Sequence, residues 1–116
     1  MILRGGELDG ARILKPETVK LMTTVHTPPA MPDKRALGWD VDTHYSKPRG
    51  DFPAGASFGH TGFTGTCLWI DPASGSFFVF LSSRLHATDP GTDVRKLYEQ
   101  LGALASKAVL PENRSP

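Results

Sequence analysis

Two apolar runs in the second half of the chain limit its possible folds more than any other feature. They are residues 67–70 and 77–81, and the segment between them, Asp71-Pro72-Ala73-Ser74-Gly75, has the turn chemistry of a hairpin. Neither run alternates apolar with polar residues, which indicates strands covered on both faces of their sheet. The sequence therefore predicts a hairpin that needs a layer of covering structure on each side.

The rest of the chain contains one long and one short predicted helix that could cover the faces of that sheet. The clearest helix is predicted over about residues 90–108, because Asp89 can cap it, Pro90 fits its first turn, and six apolar residues follow at helical spacing. Those residues are Val94, Leu97, Tyr98, Leu101, Leu104 and Ala105. A shorter helix is predicted over about 16–23, beginning at Pro16. One face of the sheet is therefore expected to lack cover within this chain.

The remaining segments complete a prediction of one α+β domain. Met1–Arg4 followed by Gly5 is typical of the last turn of a helix, and a helix cannot consist of its last turn alone. Either these residues fray or the chain begins inside a helix, and we expect the second. Strands are predicted at 37–41, 57–62, 66–70 and 76–82, with turn-rich or loop segments at 7–14, 27–35 and 42–56. The predicted fold is a partial antiparallel sheet with a C-terminal helix packed on one face. The domain would span 1–110, incomplete at its N-terminus, with a polar tail at 111–116.

Composition excludes several classes of function. Lysine and arginine number 13 and aspartate and glutamate 12 among 116 residues, and a net charge of +1 argues against nucleic acid as the main partner. No apolar stretch approaches the roughly 18 residues that would cross a bilayer. Cys67 is the only cysteine, so no intrachain disulfide can form. The four histidines show no zinc-like spacing, and neither a metal nor another cofactor is predicted.

Residues 55–59 match the G-x-S-x-G pattern of a nucleophile elbow, with Ser57 as the candidate nucleophile. An elbow requires a helix directly after the serine. Here glycines follow at 59, 62 and 65 with no helical period, so a glycine-rich start to a strand is the favoured interpretation. Labelling of Ser57 by a serine-reactive phosphonate would support the elbow instead.

The segment Phe58–Thr66 is the strongest candidate for a functional site in this sequence. Its polar pair His60-Thr61 is followed by Gly62, and glycine lets a ligand or another chain approach the backbone closely. Taken alone, the triplet is better explained as part of a bulged, twisted strand with a histidine at the edge of the core.

Together with its neighbours, however, this triplet resembles the C-terminal part of the superfamily of serine β-lactamases, penicillin-binding proteins and related esterases. In those enzymes a Lys-Thr-Gly or His-Thr-Gly strand borders the active site, and a hairpin and long helix follow. The His-Thr-Gly form is similar to members related to class C β-lactamases, D-alanyl carboxypeptidases and esterases. The segments that carry the resemblance are 5–10, 13–19, 37–39, 60–65, 69–72 and 81–86. The resemblance implies a bacterial parent enzyme that is periplasmic or secreted, although Met1–Gly6 does not resemble a signal peptide.

The resemblance also implies roles for particular residues. His60 would contribute to the electrostatics and proton relay of the site, and Thr61 would offer its hydroxyl to the substrate. Gly62 would keep the strand open, and the Phe63 backbone N–H would be the second oxyanion donor. A fixed N–H aimed at the developing charge is worth about 3–4 kcal/mol. Ser83, with Arg84 beside it, would lie near the rim of the substrate site.

The family's nucleophile is missing from the chain. No serine is followed three residues later by lysine, and the only asparagine, Asn113, cannot complete Tyr-x-Asn or Ser-x-Asn. The chain is therefore interpreted as the C-terminal fragment of a serine hydrolase that acts on a lactam, D-Ala peptide or ester through an acyl-serine. Alone it would be inactive, and the missing N-terminal portion of the domain would complete it. The alternative is a stand-alone, non-catalytic binding or interaction module whose sheet is covered by a partner or a dimer.

Overall fold

The computed structural model describes residues 1–85 and 93–111. Within them the chain forms seven short strands, two α-helices and two single 3-10 turns. In order they are a 3-10 turn (Ile2–Arg4), β1 (Glu7–Leu8), β2 (Ala11–Arg12), α1 (Pro16–Thr23), β3 (Lys34–Arg35), β4 (Asp40–Asp42), a second 3-10 turn (Lys47–Arg49), β5 (Phe58–Thr61), β6 (Cys67–Asp71), β7 (Ser76–Phe80) and α2 (Arg95–Val109). The predicted α+β class is confirmed.

The N-terminal region departs from prediction in one respect. Gly5 adopts the left-handed conformation expected of a helix C-cap (φ 57°), and α1 covers the predicted residues with Pro16 in its first turn. The predicted connection at 7–14 is instead the hairpin β1–β2, with Asp9 and Gly10 at positive φ in its turn. Asp-Gly is a strong hairpin signal, so treating this segment as a connection without strands was wrong.

The main sheet is antiparallel, in the order β3-β4-β5-β6-β7. The three predicted strands of the second half are confirmed to within two residues at each end. The strand predicted at 37–41 is shifted to Asp40–Asp42, since Gly38 adopts a φ of 81° and the backbone bends there. β3 lies inside the predicted loop 27–35, where the prolines concealed a two-residue edge strand.

The faces of this sheet differ in cover. On the face we call the outer face, Phe58 and Ile70 pair across β5–β6 and belong to a buried cluster completed by Ala36 and Val41. The cluster stops short of β7, where Phe77 is 62% exposed and Val79 is 51% exposed. The described part of the chain therefore leaves the outer face open over β7, as expected from the shortage of covering elements.

On the opposite face, which we call the inner face, the second 3-10 turn lies between the sheet and α2. Lys47–Arg49 contacts β5 and β6, and α2 packs against the other side of the same turn. Trp69 on this face is fully buried. The backbone N–H of Asp51 donates to Ser106 Oγ at 3.0 Å, and this bond joins the loop to the helix.

The buried stripe of α2 contains only one of the predicted apolar residues, Tyr98. Tyr98, Gly102 and Ser106 are buried, whereas Leu97 and Leu104 are exposed. The physical reason is the closeness of the packing: a Cβ at position 102 would overlap the backbone of Pro48. Small residues are required there, which a search for apolar spacing does not detect. The predicted cap at Asp89 and Pro90 lies outside the described residues.

Candidate active site

The site forms where β5 loses one of its neighbours. β6 pairs with β5 along its whole length, but β4 pairs only at Asp40↔Gly59. In the described part of the chain, the edge of β5 that faces β4 is therefore unpaired at His60 and Thr61. An open edge of this kind leaves backbone groups and side chains accessible to a ligand.

Asp40 pairs with Gly59 at the last paired position before the unpaired edge, and its side chain is held by hydrogen bonds. It is 1% exposed, and its Oδ1 accepts bonds from Arg35 Nη1 at 2.6 Å and Thr43 Oγ1 at 3.0 Å. On the partner strand, Gly59 has no room for a side chain because the Trp69 ring and the Leu68 carbonyl occupy that space. A buried charged network and a required glycine thus define the end of the paired region.

The two polar residues of the triplet face opposite ways. His60 pairs with Leu68 and Thr61 with Cys67, so His60 belongs to the outer face and Thr61 to the inner face. His60 is exposed and Thr61 is half-buried. Both residues nevertheless border the open edge, where the two faces meet.

A tight turn follows β5. Gly65 N–H donates to the Gly62 carbonyl at 3.0 Å, and Gly62 N–H donates to the Thr66 carbonyl at 2.7 Å. Gly65 has a φ of 99°, which favours glycine. The Phe63 ring is 76% exposed at the tip, and the Phe63 N–H has no hydrogen-bond partner among the described residues. Within the described part of the chain, no group competes with a ligand for this backbone donor.

Residues 82–84 bind the other side of this turn. Arg84 Nε donates to the Phe63 carbonyl at 2.7 Å, and Arg84 N–H donates to the Thr64 carbonyl at 3.0 Å. Ser82 Oγ donates to the Gly65 carbonyl at 2.8 Å. The Arg84 guanidinium also lies 4.9 Å from the centre of the Phe63 ring, within the range of a cation–π contact.

A groove of about 550 Å³ lies beside the turn and the end of β5. Its lining residues are Tyr45, Thr61, Gly62, Phe63, Arg84, Asp93, Val94, Arg95 and Tyr98. The groove thus brings together Thr61, Gly62 and Phe63 from the predicted set. His60 and Ser83 are exposed but are not among the lining residues.

The helix side of the groove contains polar groups that already have partners. Arg95 binds Asp93 through Nε–Oδ1 at 2.9 Å and Nη2–Oδ2 at 3.0 Å, and the hydrogen bonds from Arg95 lower the pKa of Asp93 to about 2. Tyr98 donates its hydroxyl to the Thr66 carbonyl at 3.1 Å, and burial raises its pKa. This wall was not predicted as part of a site, since no local pattern marks these residues.

The candidate nucleophile of the elbow pattern and the single cysteine are both buried. Ser57 is fully buried, donates to the Pro53 carbonyl at 2.8 Å and accepts a bond from Trp69 Nε1 at 3.1 Å. Because β5 rather than a helix follows it, the elbow interpretation is wrong. Cys67 is buried too, and desolvation raises the pKa of its thiol to about 11.

The described residues contain neither a metal-binding cluster nor a membrane-spanning helix. No cluster of three or more His, Cys, Asp and Glu residues that could hold a metal ion occurs in 1–85 and 93–111. Neither described helix is long and apolar enough to cross a membrane.

Comparison with known proteins identifies the family. The family model described as beta-lactamase matches residues 1–103. The chain belongs to the β-lactamase family. The match includes the open end of β5, the turn and all the lining residues of the groove, so these features lie within the family domain.

Individual relatives in the β-lactamase family are distant. A protein named putative D-alanyl-D-alanine carboxypeptidase from Escherichia coli K12 is 33% identical over 97 residues, which are 82% of this chain and 21% of that protein. A protein named esterase/β-lactamase LipL from Mycobacterium tuberculosis H37Rv is 34% identical over 87 residues, 72% of this chain and 19% of that protein. The chain thus spans about a fifth of the length of these curated relatives.

Proposed function

We propose that residues 1–110 are the C-terminal part of a β-lactamase-related serine hydrolase domain, and that 111–116 are a polar tail. The observation that carries the proposal is the Phe63 N–H, which has no partner among the described residues and lies on a turn beside an open strand edge and a groove. The names of the relatives, a carboxypeptidase and an esterase/β-lactamase, support the reaction class.

The proposed reaction is acyl transfer through serine. A serine Oγ attacks the carbonyl carbon of a lactam, D-Ala peptide or ester, and negative charge develops on the carbonyl oxygen. The C–N or C–O bond then breaks, and its nitrogen or oxygen takes up the proton given up by the serine hydroxyl; a peptide amine or an alcohol departs, whereas a lactam amine stays attached to the opened ring. Water then hydrolyses the acyl-serine, which releases the acid and restores the serine hydroxyl. Because the 116 residues contain no Ser-x-x-Lys, the nucleophile belongs to a segment of the domain outside them. Neither a metal nor a cofactor is required.

Each residue at the end of β5 has a proposed role. The Phe63 N–H binds the oxyanion, and the Thr61 hydroxyl binds the polar group of the substrate beside the reacting bond. Gly62 has no side chain and therefore leaves space for the substrate at this side of the groove. His60 acts from the outer face around the open edge of β5, where it contributes to the electrostatics and proton transfer. Ser83 lies at the rim.

The test of this function is covalent labelling of the protein made from the complete reading frame. A fluorophosphonate and a fluorescent penicillin are the probes, and mass spectrometry locates the label. We expect a single labelled serine in a Ser-x-x-Lys sequence outside these 116 residues. The absence of any label, or a label on Ser57, would refute the proposal.

A matched pair of variants tests the oxyanion donor. Phe63 is the second residue of its turn, a position that favours proline, so F63P removes the N–H while retaining the turn. F63A removes the ring and keeps the N–H. We expect kcat to fall about 10²–10³-fold in F63P and less than about tenfold in F63A. Equal effects in the two variants would show that the N–H is not the functional group.

A second candidate function is a non-catalytic interaction module, favoured by the open outer face at Phe77 and Val79. Such a module would bind a partner or a second copy through this face. Sedimentation of the 116-residue chain over a range of concentrations tests it. Self-association that F77K abolishes supports the module, and a monomer at all concentrations argues against the dimeric form.

A further inference from the structure

We propose that Arg84 is a positioning residue that orients the turn 62–65, so that the Phe63 N–H faces the groove. The inference rests on the proposed function, in which the Phe63 N–H is the oxyanion donor. It adds that the Arg84 side chain, 21 residues further along the chain, holds this donor in place. Arg84 acts through the turn and is not itself a catalytic residue.

The turn 62–65 is bound at several peptide groups by the segment 82–84. Three consecutive carbonyls, those of Phe63, Thr64 and Gly65, all accept hydrogen bonds from residues 82–84. Arg84 supplies two of these bonds, one from its side chain and one from its backbone. A turn bound at three successive peptide groups has little freedom to rotate any one of them.

These hydrogen bonds also determine the direction of the N–H groups in the turn. In a trans peptide unit the N–H points opposite to the C=O of the same unit. The Phe63 N–H shares its unit with the Gly62 carbonyl, which accepts the Gly65 N–H inside the turn. The Phe63 N–H therefore points outward. The Phe63 carbonyl, bound to Arg84 Nε, fixes the next unit and turns the Thr64 N–H away from Arg84.

Arginine is the residue type whose chemistry suits both contacts at position 84. The bond to the Phe63 carbonyl comes from Nε, and the guanidinium plane also contacts the Phe63 ring. Lysine has no donor at the Nε position and no plane, so it cannot make both contacts. Gly65 completes the fit, because a Cβ there would lie 2.6 Å from Ser82 Oγ. The residue types at 65, 82 and 84 are therefore matched to one geometry.

The experiment measures kinetics and amide exchange in the protein made from the complete reading frame. The variants are R84Q and R84K. The matched control is R12Q, because Arg12 also donates to backbone carbonyls, those of Gly5 and Leu14, but does not line the groove. The substrate is a p-nitrophenyl ester or a chromogenic cephalosporin, whichever the wild-type protein hydrolyses.

We expect R84Q to lower kcat by about ten- to a hundredfold, since small displacements of catalytic groups have effects of this size, with KM changed less than about threefold. R84K should remain within about threefold of R84Q, and R12Q should match the wild type. Exchange of the Gly62 and Gly65 amides, which are hydrogen-bonded within the turn, should become at least about tenfold faster in R84Q, while β6 and β7 amides are unchanged.

The outcomes separate the two proposals. In one outcome the wild type is active, F63P loses activity, and R84Q keeps the kcat and the amide exchange of the wild type. This outcome refutes the role of Arg84 and leaves the proposed function intact. Faster exchange throughout β6 and β7 in both R84Q and R84K would make Arg84 a general structural residue and also refute the inference. A wild-type protein that hydrolyses neither substrate and takes no label refutes the proposed function, and the positioning role with it.

Discussion

The close approach of α2 to the second 3-10 turn makes an unusual prediction for Gly102. At an exposed helical position, replacing glycine by alanine stabilises a protein by about 1 kcal/mol. At Gly102 the added methyl group would overlap the Pro48 carbonyl and lie 2.9 Å from Gly50 N. Both neighbours are backbone atoms and cannot rotate away, so the helix or the loop must move.

The expected magnitude follows from these contacts. Overpacking of this kind costs about 1–3 kcal/mol. Displacement of the helix would also weaken the bond between Asp51 N–H and Ser106 Oγ, worth about 1 kcal/mol. After subtraction of the gain in helix propensity, we expect G102A to lower the free energy of unfolding by about 1–3 kcal/mol.

The assay is urea unfolding followed by tryptophan fluorescence, since Trp69 is fully buried and reports loss of the core. The matched control is the pair Q100A and Q100G, because Gln100 is exposed on the same helix and this pair measures helix propensity without the steric overlap. The free energy of unfolding of Q100A minus that of Q100G gives the gain from helix propensity alone. If G102A raises the free energy of unfolding of the wild type by that same amount, then α2 does not pack as closely as described and the reasoning is refuted.

Three other predictions concern the sheet. S57A should lower the free energy of unfolding by about 1–3 kcal/mol in the same urea assay, because Trp69 Nε1 loses its acceptor; a neutral result would mean that another acceptor replaces it. Burial raises the pKa of Cys67 to about 11, so its contribution to stability is present below about pH 9 and is lost as pH rises through 11. Iodoacetamide at pH 8 should modify Cys67 only after unfolding. In the 116-residue chain alone, V79K should raise solubility without destabilising the fold, since Val79 is 51% exposed there.

The sequence predicted elements whose determinants are local. The hairpin β6–β7 follows from two apolar runs and the turn residues between them, and α1 follows from Pro16 and its apolar spacing. The hairpin β1–β2 had an equally local signal in Asp9-Gly10, but its strands of two residues are too short to show alternation. Short elements therefore require turn chemistry rather than periodicity for their prediction.

The buried face of α2 shows what local patterns cannot provide. Leucine spacing predicted that Leu104 would be buried, yet it is 68% exposed, whereas Gly102 and Ser106 are buried. The side of a helix that is buried depends on the surface it meets, and here that surface is a backbone turn more than 50 residues earlier in the sequence. The sequence contains no local trace of that partner.

The candidate site was predicted through resemblance rather than through periodicity. Thr61, Gly62 and Phe63 do line one groove, but alternation along β5 places His60 on the other face. Arg84 was expected only at the rim, and its bond to the Phe63 carbonyl depends on how two hairpins are arranged. Contacts of this kind become visible only when the register of the sheet is known.

That register explains why the turn and Arg84 meet at all. Cys67, the first residue of β6, pairs with Thr61 on one side and with Phe80 on the other. The chain leaves β5 and β7 at the same end of the sheet, so residues 62–65 and 82–84 lie side by side. A slip of one residue in β7 would turn its side chains to the opposite faces and displace Arg84 Nε from the Phe63 carbonyl. The register is secured at the other end by buried Asp71, whose carboxylate accepts the N–H groups of Ala73 and Ser74 in the hairpin turn. The orientation of the proposed oxyanion donor thus depends on the pairing of β6 with β7 as well as on the residues beside the groove.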